Sequence, residues 1–164
     1  MALLVAPRNE VAFELLSFMK PFAKLLGILC VYICGGEEGE RIPHIKASSK
    51  NGGHILISTL GKVQSIIGKK SSLINLMSVT FLVMDGAESL TKRNVQSMAD
   101  YLIKNVRGDR QLVVFSAISH PDIEQWLAKH QENFVHITPR AAASVHGTAH
   151  VPTDEYGGAE NDKF

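Results

Sequence analysis

The chain is poor in cysteine, in net charge and in long apolar runs, and each shortage excludes a class of protein. Its 164 residues include two cysteines, Cys30 and Cys34. Two are too few for a disulfide-stapled scaffold. On an extended strand they would stand about 13 Å apart, whereas a disulfide needs Cα atoms within roughly 7 Å. Two reduced, buried thiols in a cytoplasmic or nuclear protein are therefore expected. Seventeen basic residues face sixteen acidic ones, a net charge of +1. Any nucleic-acid contact must come from local placement of groups rather than bulk charge. No apolar run reaches the ~18–20 residues that a membrane span needs. The apolar start, 1–6, lacks a basic leader and meets Pro7-Arg8 at once, so it reads as a buried strand and not a signal peptide. No membrane association is expected.

What remains is an ordinary globular composition, with 45% hydrophobic and 20% charged residues. It is enough for one domain with a real core. Apolar runs at 3–6, 28–34, 54–58, 78–84, 111–115 and 134–137 predict strands. Three- and four-residue spacing predicts helices over 11–22, 62–67 and 93–106, and another from His120-Pro121 with Pro121 in its first turn. Pro21 is expected to kink or end the first helix. After Pro139 the periodicity stops, so the domain is taken as 1–139 and 140–164 as a flexible tail. Strands alternating with amphipathic helices predict an α/β fold, a mostly parallel sheet with helices on both faces. In such sheets functional groups collect beyond the carboxyl ends of the strands.

Five strand ends carry recognisable groups. Ala6-Pro7-Arg8-Asn9-Glu10-Val11-Ala12 follows the first strand and Gly35-Gly36 the second. Thr59-Leu60-Gly61-Lys62 follows the third, Asp85-Gly86-Ala87-Glu88 the fourth, and Ser116-Ala117-Ile118 the fifth. Each is weak alone. In this order, each at a strand end, they resemble the DEAD-box RNA helicase family: P-T-R-E-L-A (motif Ia), a G-G turn, T-P-G-R, D-E-A-D and S-A-T. The resemblance covers about residues 2–138 and implies a partial RecA-like domain of the P-loop NTPase type.

In the family the first three elements hold the backbone of single-stranded RNA. Carried over, the RNA-binding residues are Pro7, Arg8, Glu10, Gly35, Gly36, Thr59, Gly61 and Lys62. The chemistry is plausible, since backbone N–H groups, a hydroxyl and a cation all suit phosphate oxygens. Arg8 stands for the family's threonine, Asn9 for its arginine, Leu60 for its proline and Lys62 for its second arginine. Lysine is the poorer bidentate partner.

The ATP-facing elements depart further. Asp85 keeps the position that helps hold Mg²⁺ in the family. The next position, which resembles a general base, is Gly86, with no side chain to orient a water. Glu88 stands for the last Asp. Ile118 replaces the threonine of S-A-T, and with it the hydroxyl expected to link that element to D-E-A-D. No stretch matches the phosphate loop G-x-x-x-x-G-K-[ST], whose strand lies mid-sheet in the family. A gap or an unpaired edge is expected in its place. The resemblance thus brings ATP and Mg²⁺ with the family, while this chain itself is expected to need no cofactor and not to hydrolyse ATP.

Plainer readings stand beside these. Asp85 and Thr59 each suit a helix N-cap, and Gly35-Gly36 a simple turn. His146 and His150 sit four apart but lack a cluster of other ligands. His120 reads as a loop residue, Trp126 as a core anchor and Lys69-Lys70 as a solvated turn. Three functions follow: an ATPase-inactive helicase-like domain that binds RNA or docks partners, a piece of an active ATP-dependent helicase, or a protein-interaction module.

Overall fold

The structure, a computed structural model, describes residues 1–35, 54–68 and 74–138. Gly36, Lys69, Lys70, His146, His150 and the expected tail lie outside them. Residues Met1–Phe134 belong to one compact unit.

Five strands form one continuous, wholly parallel sheet in the order β2-β3-β1-β4-β5. They are β1 (Ala2–Ala6), β2 (Cys30–Ile33), β3 (Ile55–Thr59), β4 (Phe81–Met84) and β5 (Gln111–Val114). Among the described residues the sheet has no gap. β1 is central and pairs with β3 (Leu3 beside Leu56) and β4 (Leu3 beside Leu82). β5 pairs with β4 on one side only, which leaves an unpaired edge among the described strands.

Four helices among the described residues cover the sheet: α1 (Asn9–Leu26), α2 (Leu60–Gly68), α3 (Arg93–Asn105) and α4 (Pro121–His130). The larger core joins Leu3, Val5, Leu56, Leu82 and Met84 to Val63 of α2, Leu102 of α3 and Trp126 of α4. The smaller one joins Ala6, Cys34 and Ile57 to Ala12 of α1. One sheet face thus carries α2, α3 and α4, and the other carries α1. The expected α/β architecture is present, with its helices shared unequally.

Some local expectations need correction. Pro21 does not end α1, which runs on to Leu26 and closes at Gly27 (φ 64°), whose N–H reaches the Ala23 carbonyl. Pro21 is exposed, so the carbonyl deprived of its helical partner can turn to water. The run 78–84 opens with a 3-10 turn, Leu76–Ser78, capped by Asn75, and the strand begins only at Phe81. Residues 134–138 form no strand. Four apolar-leaning residues after a helix carry a β pattern, but a strand also needs a neighbour to bond. His120 is no mere loop residue, since its ring accepts the Asp122 N–H at 3.2 Å and caps α4. Cys30 is half-buried and Cys34 buried, both free thiols.

Trp126 anchors α4 to α3 as expected, through a polar link that spacing does not reveal. The Asp100 carboxylate accepts from Trp126 Nε1, Lys129 Nζ and His130 Nε2, each at 2.7 Å. Burial raises the Asp100 pKa, but the three donors outweigh it and bring it down to about 2. A depressed carboxylate stabilises the fold above its unfolded pKa and loses that contribution as pH falls through the folded one. Between about pH 4 and 2 the protein is therefore expected to lose about 2 kcal/mol through this group. Asp100→Asn should flatten that part of a urea-unfolding pH profile. An unchanged profile would show that the cluster does not couple to folding.

Candidate functional site

The site is made where three chain reversals meet at the carboxyl ends of β1, β3 and β4. After β1 the chain turns at Pro7-Arg8 into α1. After β3 it turns into α2 at once, because the helix begins at Leu60. The expected helix thus starts two residues early, which puts Thr59 at the N-cap position and Gly61 and Lys62 in the first turn. Pro7 to Glu10, Thr59 to Gly61, and Asp85 to Ala87 line one open cleft of about 490 Å³. That volume lies in the range of ligand sites. The N-termini of α1 and α2 both open on it, and helix N-termini present unbonded N–H groups and a partial positive charge.

Gly35 joins the same rim. Asn9 Nδ2 donates to the Gly35 carbonyl at 3.2 Å, and the Tyr32 hydroxyl donates to the Asn9 carbonyl at 3.4 Å. The residue that departs from the family arginine is thus the tie between the first and second strand ends. No sequence signal marked this, since its partner is a backbone carbonyl. Ser58, buried at the end of β3, donates to the Ile33 carbonyl at 2.5 Å and fixes β3 against β2 at the same rim. Burial pushes the Cys34 thiol up, against the lowering pull of the Tyr32 side chain, the Thr59 N–H and the Lys62 charge; Glu10 raises it further. Lys62 and Glu10 therefore both lie close enough to the end of β2 to be felt there. Arg8 is exposed and Lys62 half-buried. Pro7, Arg8, Glu10, Gly35, Thr59, Gly61 and Lys62 thus lie at or beside one rim.

The fourth strand end is a tight turn. Asp85 N–H donates to the Val5 carbonyl at 2.9 Å, and Gly86 takes the left-handed conformation with φ 72°. Gly86, and not Asp85, holds the N-cap position of the 3-10 turn Ala87–Thr91. The reading of Asp85 as an N-cap is therefore not met. A Cβ at Gly86 would lie 2.7 Å from Pro7 Cγ and 2.9 Å from Pro7 Cβ. The emptied position is filled: Pro7 rests on the glycine backbone where a side chain would begin.

The fifth strand end remains joined to the fourth. Ala87 N–H donates to the Phe115 carbonyl at 2.9 Å. Glu88 Oε2 accepts from the Ser116 hydroxyl and from the Ala117 N–H, each at 3.4 Å. Loss of a hydroxyl at Ile118 does not uncouple the two elements, because the longer Glu88 side chain reaches Ser116 and the backbone instead.

The described residues fit a metal ion poorly. No group of three or more His, Cys, Asp or Glu among the described residues could hold a metal ion. Glu88 is turned towards Ser116 and the Gly86 position offers no carboxylate, so neither supplies Asp85 with a matching acidic ligand.

Comparison with known proteins agrees with this geometry. The DEAD/DEAH box helicase family matches residues 1–126. The chain is 38% identical over 124 residues to DEAD-box ATP-dependent RNA helicase 45 of Oryza sativa subsp. japonica, covering 74% of this chain and 13% of that protein. It is 34% identical over 124 residues to DEAD-box ATP-dependent RNA helicase 45 of Arabidopsis thaliana, covering 74% of this chain and 12% of that one. The chain thus spans about an eighth of the length of these curated relatives. Among solved structures, a hypothetical ATP-dependent RNA helicase from Sulfolobus tokodaii matches with TM-score 0.69 at 17% identity, over 82% of this chain and 39% of that one. The S. cerevisiae dbp5 chain solved with nup159, gle1, IP6 and ADP matches with TM-score 0.64 at 22% identity, over 79% and 32%. At these identities the structures speak for the fold alone.

Proposed function

This chain belongs to the DEAD/DEAH box helicase family, and on that premise we propose that it binds the sugar-phosphate backbone of single-stranded RNA without hydrolysing ATP. The observation that carries this reading is the cleft at the strand ends. Two helix N-termini, the Thr59 hydroxyl, Arg8 and Lys62 all gather at its rim or beside it, and each suits a phosphate oxygen. Phosphate contacts of this kind position RNA without reading its sequence. With a net charge of +1, binding is expected to be weak and strongly salt-dependent. The half of the reading that denies ATP hydrolysis rests on Gly86, which leaves no carboxylate to orient an attacking water.

A single-stranded RNA oligonucleotide, followed by fluorescence anisotropy across a salt series, tests the first half. Lys62→Ala and Arg8→Ala are each expected to weaken binding and to reduce the log–log salt slope by about 0.7, the loss of one phosphate contact on a single strand. Absence of binding at low salt would overturn the RNA reading. Phosphate release from ATP in the presence of RNA tests the second half, with none expected; RNA-stimulated turnover would overturn it.

A further inference from the structure

β1 and β2 are not neighbours in the sheet, because β3 lies between them. Their ends are nonetheless joined across β3. Asn9, the first residue of α1, donates from Nδ2 to the Gly35 carbonyl at 3.2 Å, over a separation of 26 residues. The same nitrogen is the nearest atom, at 3.8 Å, to where a side chain at Gly35 would begin. In return the Tyr32 hydroxyl donates to the Asn9 backbone carbonyl at 3.4 Å. A tyrosine on β2 thus holds the backbone of the residue whose side chain holds the end of β2. The Tyr32 ring meets Phe13 of α1 edge-on, with centroids 6.2 Å apart, so the link runs on along the helix.

The strand between them is tied at the same level. Ser58 of β3 donates to the Ile33 carbonyl of β2, and the Thr59 N–H bonds the Cys34 sulfur. The three strand ends that carry Arg8, Gly35 and Thr59 are therefore cross-linked. The side chains that do this, Asn9, Tyr32 and Ser58, carry no charge. They offer a polyanion no release of counterions. What they offer is order: a rim fixed before binding loses no freedom when a ligand arrives.

We propose that Asn9 is a positioning residue for RNA, which together with Tyr32 holds the ends of β1 and β2 in one preformed rim. The role rests on the reading of that rim as a site for the RNA backbone. Arg8 and Lys62 supply the salt-dependent attraction, and the Asn9–Tyr32 link supplies the fit. Asn9 acts through the Gly35 backbone and the start of α1, not through a phosphate contact of its own. The two contributions part in a salt series, because only a contact between a cation and a phosphate changes the number of ions released. They also part in the free protein, where the link orders the rim with no RNA present.

Fluorescence anisotropy of the full chain with a single-stranded RNA oligonucleotide tests this across a salt series. Asn9→Ala and Tyr32→Phe are each expected to weaken binding about threefold or more at every salt concentration, with the parent's log–log slope. Lys62→Ala, by contrast, lowers the slope. Tyr32→Phe keeps the ring against Phe13 and removes only the hydroxyl that holds Asn9. The double variant should bind little worse than Asn9→Ala alone, since both changes release one link. Hydrogen exchange of the free chain is the second measurement. Both variants should speed exchange at residues 33–35 and at the Ala12 amide, which bonds the Arg8 carbonyl, and leave β1 as in the parent. Parent-like affinity in both variants overturns the positioning role. So does unaltered exchange, or a double variant whose losses add, which would make Asn9 a direct RNA contact. A parent that binds no RNA overturns the reading of the rim and the positioning role with it, whereas a binding parent with indifferent variants overturns the positioning role alone.

Discussion

Gly86→Ala and Gly86→Glu are both expected to lower the free energy of unfolding by about 2–5 kcal/mol, and neither is expected to produce ATP turnover. Two penalties attach to the first added carbon. The left-handed backbone at φ 72° costs any residue with a Cβ about 1–2 kcal/mol. The collision with the Pro7 ring at 2.7 Å adds about 1–3 kcal/mol, because a proline ring held between β1 and α1 has little room to give. Glutamate at this position would restore the family's residue type on a backbone that has closed around its absence. The two penalties can be parted. In a Pro7→Gly background, which strips away all three approaching atoms, Gly86→Ala should cost only the backbone share. Urea unfolding of the four proteins measures both. Equal stability of Gly86→Ala and the parent would sink the idea that Pro7 fills the emptied position.

Trp126→Ala should be the most damaging single substitution in the domain, at about 3–5 kcal/mol. The indole is 1% exposed at the junction of α4 with the larger core. Its loss leaves a large cavity and takes one donor from the Asp100 carboxylate. A small domain has only about 5–15 kcal/mol in hand, so the variant should be largely unfolded at moderate temperature. Trp126→Phe keeps much of the ring and loses only the N–H, for about 1–2 kcal/mol. The ranking of the two in chemical denaturation is the check. Equal losses would mean that the Asp100 bond, rather than the packing, dominates.

The parts of the fold legible in the sequence are those governed by periodicity over several residues. Apolar runs placed β1, β3, β4 and β5, and the spacing of Val95, Ala99, Leu102 and Ile103 placed α3. Motif order put the five groups at strand ends, and strand ends of a parallel sheet necessarily share one side. What stayed hidden depended on partners distant in the chain. Pro21 reads as a helix breaker, but on an exposed face its cost is met by water. Residues 134–137 carry a strand pattern without a strand to pair with. Asn9 looked like a lost arginine, until Gly35 supplied a carbonyl. Ile118 looked like a broken link, until the extra methylene of Glu88 reached Ser116. The uneven covering of the two faces was not legible, since a helix pattern does not say which side of a sheet it will take.

The strand order bears on how fast the chain reaches this structure. β1 comes first among the described elements, and its two neighbours, β3 and β4, lie some fifty and eighty residues further along. None of its strand-pairing hydrogen bonds joins residues near in sequence. Such non-local pairing demands a long loop closure before any contact rewards it, so folding should be slow for a domain of this size. Until β3 and β4 are in place, Leu3 and Val5 stand on a strand without those partners, which exposes their apolar side chains to association.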